Sequence, residues 1–366
     1  MNKILIVGAG LSGATCAAEL ANAGFEITVQ EERSHIAGNT FDEYDSHGVL
    51  IHRYGPHIFH TNSIKVFDFL SQYTSWRRYE HKVLAKYKEN YFPIPLNITS
   101  IGHYFGKNLK TSKDLNNILQ PLRVPRDAIK SSEDYLLAAI GVELTDAFFS
   151  GYTKKQWGCG LEELDASVAA RVPFRDSVDD RYFQDKYQGI PSDGYTAMVT
   201  RMLDHPRIKI ELNKKATSHD FGDYEHIIFT GAIDRLLNYR HGRLPYRSLQ
   251  FCFEHHPNIE LFQPVGTINY PDIADGPETR VTEFKHLTGQ EIDGTTVVRE
   301  ISTDKGDPYY PIPTQANRLL HEIYVSDISH LMPKVHLVGR LAEYRYYNMD
   351  QAVASALAFT KRFLLQ

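Results

Sequence analysis

Apolar residues along this chain fall into short runs that stop at glycine. Ile4-Leu5-Ile6-Val7 ends at Gly8, and a run of this length and β-branched content predicts a buried parallel strand over residues 3–7. An alanine-rich stretch predicts a helix over 12–23, and Glu26-Ile27-Thr28-Val29-Gln30 predicts the next strand. Together they form a βαβ unit with glycines at its first turn. Two later runs repeat the buried pattern, His226-Ile227-Ile228-Phe229-Thr230-Gly231 and Val335-His336-Leu337-Val338-Gly339, and a closing helix is predicted over 349–364. Ile208-Lys209-Ile210-Glu211-Leu212 alternates as a half-buried strand does. Tyr91-Phe92-Pro93-Ile94-Pro95 reads as extended, because proline restricts itself and its predecessor.

Between these runs the period changes. Residues 100–150 read as helical: Ser131-Ser132-Glu133-Asp134 marks a helix start, followed by Leu136, Leu137, Ile140, Leu144 and Phe148 on one face. Residues 158–180 are charged, hold one proline (Pro173) and read as a mobile segment. From 246 to 311 several β-type runs, such as Thr296-Val297-Val298, are separated by turn residues. No internal repeat is present. The predicted fold class is α/β: a discontinuous Rossmann-like dinucleotide domain (1–64, 187–237 and 315–366) with two insertions. One insertion is helical (98–160). The other is an antiparallel β-sheet domain (65–97, 161–186 and 238–314), with its mobile loop near 162–175.

Composition narrows the partners. A net charge of -5 argues against nucleic acid or anionic lipid. The three cysteines, Cys16, Cys159 and Cys252, lie far apart, form no metal-ligand pair and suit a reducing compartment. No metal site is expected. No apolar run approaches the roughly 20 residues needed to span a bilayer, and the stretch before Gly8 is too short for a signal peptide. The expected location is cytoplasmic, without membrane insertion.

The loop Gly8-Ala9-Gly10-Leu11-Ser12-Gly13 carries the first chemistry. Gly8 permits the tight turn, Gly10 lets the backbone approach a pyrophosphate, and Gly13 lets the helix pack close, with its N-terminus facing phosphate charge. Glu31 ends the second strand at the distance expected of a carboxylate accepting from ribose hydroxyls. NAD and FAD share this fingerprint. The late Val335–Gly339 strand and its helix point to FAD by fold-level analogy, because they bring a second helix N-terminus to the same crevice. Arg340 is then expected near the cofactor phosphates.

Several motifs occur together: His35-Ile36-Ala37-Gly38-Asn39; Tyr54-Gly55-Pro56-His57-Ile58-Phe59-His60-Thr61-Asn62; Gly151-Tyr152-Thr153-Lys154-Lys155-Gln156-Trp157-Gly158; Arg171-Val172-Pro173; Tyr182 to Gly189; Pro308-Tyr309-Tyr310-Pro311; and Gly339 to Tyr347. In this order, over nearly the whole chain, they resemble the bacterial UDP-galactopyranose mutase family. The resemblance implies a flavoenzyme that interconverts UDP-galactopyranose and UDP-galactofuranose without net redox change. Its FAD is active when reduced: the flavin N5 attacks the anomeric carbon as UDP leaves, and the sugar ring opens and recloses at the other size through a flavin–sugar adduct. Partners implied are the nucleotide sugar, a transient reductant such as NAD(P)H, and a second copy in a homodimer.

The resemblance also assigns residues. Arg171, on the mobile segment, and Arg280 are implied on the substrate diphosphate, with closure of the loop bringing Arg171 in. Tyr152 is implied to stack on the uracil with Phe148 nearby, and Thr153 and Trp157 to line the same pocket. Tyr182, Tyr310 and Tyr346 are implied to reach the diphosphate, and Asn269 to contact the nucleotide. Cofactor contacts are implied for Gly8, Gly10, Ser12, Gly13, Glu31, Gly38, Asn39, Ile58, Lys214, Gly339, Arg340, Tyr347, Asn348 and Met349. His57 and His60 are expected to pack against the flavin rather than titrate. His57, where relatives acting on N-acetylgalactosamine carry arginine, favours a sugar without the acetamido group. Two positions depart from the family: Asn348 stands where aspartate is usual, and His81 where a substrate-facing asparagine is usual. They leave the sugar open between UDP-galactose and another nucleotide sugar such as dTDP-fucopyranose. A redox flavoprotein of the amine-oxidase type and a non-catalytic nucleotide-sugar binder are the competing readings.

Overall fold

The computed structural model describes residues 3–365. One layer is a five-stranded parallel sheet in the order Ile208–Glu211, Glu26–Gln30, Lys3–Val7, His226–Phe229, Val335–Leu337. Lys3–Val7 lies in the middle with Ile4, Leu5 and Ile6 buried, which is why it reads as a continuous apolar run. Ile208–Glu211 lies at the edge. Its alternation does not bury one face: Ile210, and Leu212 just beyond the strand, are each 38% exposed. The edge position leaves them little to pack against.

The helix Leu11–Asn22 crosses from Lys3–Val7 to Glu26–Gln30. Its buried Ala14, Ala17, Ala18 and Ala21 allow close approach to the sheet and to the helices Tyr195–Leu203 and Met349–Phe363. The helix Ile64–Ser71, expected with the antiparallel insertion, instead puts Val66, Phe69 and Leu70 into this same core. A short antiparallel sheet, Phe59–Thr61, Tyr187–Pro191 and Trp76–Arg78, ties the histidine motif to the Tyr182–Gly189 segment.

A second large sheet has seven strands in the order Tyr310–Pro311, Tyr246–His256, Thr295–Thr303, Glu278–Glu283, Thr267–Asn269, Val83–Tyr87, Asn90–Ile94. Its pairings are antiparallel except Thr267–Asn269 with Val83–Tyr87, which run parallel. The exception arises because the 83–94 hairpin comes from a distant part of the chain, so no tight turn dictates its direction.

The helical region comprises Ile98–Tyr104, Ser112–Leu119, Ser132–Thr145, one wide turn at Asp146–Ser150, and Gly151–Trp157. Ser131 caps the third of these: its hydroxyl accepts from Asp134 N at 3.1 Å, and the Asp134 carboxylate accepts from Ser131 N at 3.1 Å. The charged stretch after Gly158 carries a short helix, Ala166–Ala170, and buries Leu161, Leu164 and Ala169. Leu161 and Ala169 join a core shared by the helices and by Val83, Ala85, Phe92 and Ile94 of the sheet, so this stretch packs with the helices as well as with the sheet to which the sequence assigned it. Among the described residues no helix is long and apolar enough to cross a membrane.

Candidate functional site

The βαβ turn forms one end of a cavity of about 600 Å³, within the range of sites that enclose drug-sized or cofactor-sized ligands. Gly8 adopts φ +102, and its N–H donates to Gln30 O at 2.8 Å. A Cβ on Gly13 would fall 2.0 Å from Gly8 O, so only glycine lets the helix begin this close to the strand. Gly10 has no such neighbour: the nearest atom to its Cβ would be 3.8 Å away, which leaves that face open to a ligand. A Cβ on Gly38 would fall 2.9 Å from Gly10 Cα, so two glycine loops meet at the cavity floor. Gly339 (φ +95) closes in from the other side, with its Cβ position 2.7 Å from Ser12 Oγ.

Glu31 is buried on the cavity wall, its carboxylate accepting from Ala9 N and Arg33 N at 2.9 Å each. Each oxygen thus uses one lone pair on the backbone and keeps further acceptor capacity. Asn39 accepts from Arg33 Nη1 at 3.0 Å, and Lys214 donates to Glu211 Oε2 at 2.8 Å. Gly8, Gly10, Ser12, Glu31, Gly38, Asn39, Lys214, Arg340 and Met349 line this cavity. Gly13 and Gly339 shape it from behind. Ile58, Tyr347 and Asn348 face the neighbouring cavity instead.

That neighbour, about 160 Å³, collects most residues the motifs single out: His57, His81, Tyr152, Tyr182, Asn269, Arg280, Tyr310 and Tyr346. His57, Arg340 and Met349 line both cavities and mark their junction. Two cations line this smaller cavity. Arg280 sits on strand Glu278–Glu283 directly opposite Glu300, with Nε 3.4 Å from Glu300 Oε2. Burial works against the Arg280 charge, but the Glu300 carboxylate and the surrounding tyrosine oxygens outweigh it and hold its pKa well above the usual value. Burial pushes the Glu300 carboxyl up against the pull of Arg280. Among the described residues Arg340 has no carboxylate partner; its Nη2 donates to Tyr347 O at 2.5 Å, and burial lowers its pKa. A half-buried guanidinium without a counter-ion suits an anionic ligand.

His57 and His81 are held neutral. Burial lowers His57 to about 3, helped by His52, and its Nδ1 lies 2.8 Å from Gly55 O. Burial lowers His81 to about 3, with contributions from Arg280, His60 and His286; its Nδ1 lies 3.0 Å from Tyr79 Oη. Burial raises Tyr152 to about 12 and raises Tyr182 and Tyr310 as well, so their hydroxyls act as donors at neutral pH.

Four expected substrate contacts lie outside the cavity lining. Phe148 is buried among Tyr87, Phe92 and Tyr104 in the helical core, one turn below Tyr152. Thr153 and Trp157 are buried on the same helix, and Trp157 meets Tyr346 edge-on at 5.6 Å. The Arg171 guanidinium lies 3.9 Å over the Tyr346 ring. Its Nη1 donates to Tyr346 O at 2.6 Å and its Nη2 to Asn348 Oδ1. Trp157 and Arg171 therefore bear on the cavity through Tyr346.

The cavity also includes Pro56, His60, Val83, Phe183 and Thr267. Of these, His60 was singled out in the sequence and Pro56 and Phe183 lie in its motifs, whereas Val83 and Thr267 were not anticipated, nor was Glu300 behind Arg280. Its one sequence signal is a carboxylate at an inward position of a β-type run, where apolar residues are the rule.

This arrangement agrees with comparisons across known proteins. A family model described as UDP-galactopyranose mutase matches residues 147–346, and one described as NAD(P)-binding Rossmann-like domain matches residues 6–73. A protein named probable UDP-galactopyranose mutase from Klebsiella pneumoniae is 37% identical, with 99% of this chain and 94% of that one aligned. The dTDP-fucopyranose mutase of Escherichia coli is 36% identical over 100% and 99% of the two chains. A crystal structure of reduced UDP-galactopyranose mutase matches the fold with a TM-score of 0.79 at 15% identity, covering 100% of this chain and 96% of that one. With the glycine cradle, the paired cavities and these full-length likenesses together, the chain belongs to the UDP-galactopyranose mutase family.

Proposed function

We propose that the protein interconverts the pyranose and furanose forms of a nucleotide sugar, with FAD held in the larger cavity. One observation carries this reading: two cavities meet at His57, Arg340 and Met349, one floored by a dinucleotide cradle and the other presenting half-buried Arg280 and five tyrosines. The cradle fits a flavin dinucleotide. The open Cβ position of Gly10 and the helix N-terminus behind it admit a pyrophosphate, Glu31 offers lone pairs to a ribose, and Arg340 lies at the junction with the smaller cavity. When bound and reduced, as by a transient NAD(P)H donor, the flavin supplies a nucleophilic nitrogen to the anomeric carbon.

The chain's own contribution is to hold and discharge the nucleoside diphosphate. Arg280, Arg340 and, beside Tyr346, Arg171 match its negative charges. The hydroxyls of Tyr152, Tyr182 and Tyr310 stay protonated and serve as donors to phosphate oxygens. The neutral His81 and His57 face the sugar without adding charge to it.

UDP-galactose is the first candidate substrate. dTDP-fucose is the alternative, because relatives named for each activity are 37% and 36% identical to the chain and because Asn348 and His81 lie at the cavity. Protein reduced with dithionite and incubated with each sugar nucleotide in turn is expected to convert one of them to its furanose, resolved by chromatography. Absence of exchange with both would sink the reading. Stoichiometric flavin oxidation or reduction coupled to turnover would point to redox chemistry of the amine-oxidase type instead.

A further inference from the structure

Isomerising a pyranose to a furanose moves one proton. The bond between C1 and the ring oxygen O5 breaks, and O5 becomes a hydroxyl. A bond from O4 to C1 forms, and the O4 hydroxyl loses its proton. No electrons are gained or lost overall. A group that donates in the opening half and accepts in the closing half ends each turnover in the state in which it began.

Three histidines line the smaller cavity. His57 spends Nδ1 on the Gly55 carbonyl and His81 spends Nδ1 on the Tyr79 hydroxyl. His60 differs. Its Nδ1 lies 2.9 Å from Asp185 Oδ2, and the other carboxylate oxygen accepts from Asn62 Nδ2 at 3.0 Å. Asp185 is fixed in turn: Lys186 N donates to Asn62 Oδ1 at 2.9 Å, and Gln188 Nε2 donates to Asp185 O at 2.8 Å. The His60 ring is stacked on Phe183 with centroids 3.6 Å apart and planes 12° apart. Ring plane, tautomer and direction are therefore all set by protein contacts, the plane by Phe183 and the tautomer and direction by Asp185. With Nδ1 engaged by the carboxylate, Nε2 has no protein partner among the described residues and is the nitrogen left to the cavity. A carboxylate orienting an imidazole whose far nitrogen meets the substrate is the arrangement general acid–base catalysis requires.

We propose that His60, oriented by Asp185, is the proton carrier of the isomerisation, donating from Nε2 to O5 as the ring opens and accepting from O4 as it closes. The role rests on the mutase reading above. His60 is the catalytic residue here and Asp185 its positioning residue.

The test uses the reduced, flavin-loaded enzyme. His60→Gln is expected to lower kcat by about 100-fold or more, the range that general acid–base groups supply. KM and the Kd for UDP should stay within about two-fold, because no diphosphate contact is lost. Asp185→Asn, at a partly exposed position, is expected to lower kcat by about ten-fold or more with the flavin spectrum unchanged. Added imidazole should restore part of the activity of His60→Ala, which a packing role would not allow. His60→Gln within about three-fold of wild type overturns the proposal, and so does a kcat loss matched by an equal loss of UDP affinity and not rescued by imidazole. Wild-type enzyme that exchanges neither sugar overturns the mutase reading and this role with it. Wild-type exchange with an unimpaired His60→Gln overturns this role alone.

Discussion

At the scale of single residues, the site works by pairing charges on the protein side and leaving them unpaired on the ligand side. Arg280 is anchored by Glu300 from behind, whereas Arg171 reaches the site only through the ring and carbonyl of Tyr346 and the amide of Asn348. Asn348 matters because it offers Arg171 a neutral acceptor. Asn348→Asp would place a carboxylate there, also at the N-terminus of helix Met349–Phe363. An exposed pair and a helix-terminal anion each contribute about 0.3–1 kcal/mol. The variant is therefore expected to melt slightly higher than wild type, while its affinity for UDP falls about two- to five-fold, because the added charge competes with the diphosphate for Arg171. Calorimetric titration with UDP checks this; an unchanged or tighter Kd removes Arg171 from the diphosphate. Neither contact was readable in advance. Arg171 and Asn348 are 177 residues apart, and nothing local in the sequence ties them together.

At the scale of elements, the two glycines of the first turn do different work. An alanine at Gly13 would drive its Cβ into the Gly8 carbonyl, a backbone atom that cannot swing away, so the helix must lift from the strand. Overpacking of this kind costs about 1–3 kcal/mol. Gly13→Ala is expected to lower the melting temperature even without flavin. Gly10→Ala, with nothing closer than 3.8 Å, should fold as wild type does and lose FAD instead. Melts of stripped and loaded protein, with absorbance at flavin wavelengths, separate the two; equal apo stability of Gly13→Ala and wild type, or full FAD occupancy in Gly10→Ala, would show that the division of labour is wrong. This turn was legible because its constraint is local, between residues five apart. The cap at Ser131 was legible for the same reason. The parallel pairing of Thr267–Asn269 with Val83–Tyr87 was not, because it joins segments with no short connection. Nor was the docking of Ile64–Ser71, whose apolar face fits more than one core.

At the scale of the whole molecule, three distant chain segments build one sheet, and the cavities open where that sheet meets the seven-stranded one. Closing this junction buries titratable groups that would otherwise stay hydrated, which makes stability depend on pH in a predictable direction. His81 is 4% exposed, and burial lowers it from an ordinary value of 6.5 to about 3. A histidine depressed on folding contributes stability that is present above the unfolded pKa and lost as pH falls toward the folded one. The window for His81 therefore opens near pH 6.5 and runs downward. Other groups act in the same range: burial lowers His52 and His57 likewise, whereas the Glu283 carboxylate raises His286 despite its burial. A difference between two proteins cancels these. His81→Asn keeps a polar side chain beside Tyr79 but removes the titration. Its stability relative to wild type is expected to improve as pH falls from 7 to 5, by up to about 2 kcal/mol from the 1.5 units between 6.5 and 5. Denaturant melts of both proteins at pH 7, 6 and 5 measure the gap. A gap that stays constant, or widens against the variant, would mean that His81 takes up its proton inside the folded site, and the neutral wall proposed for the sugar would have to be given up.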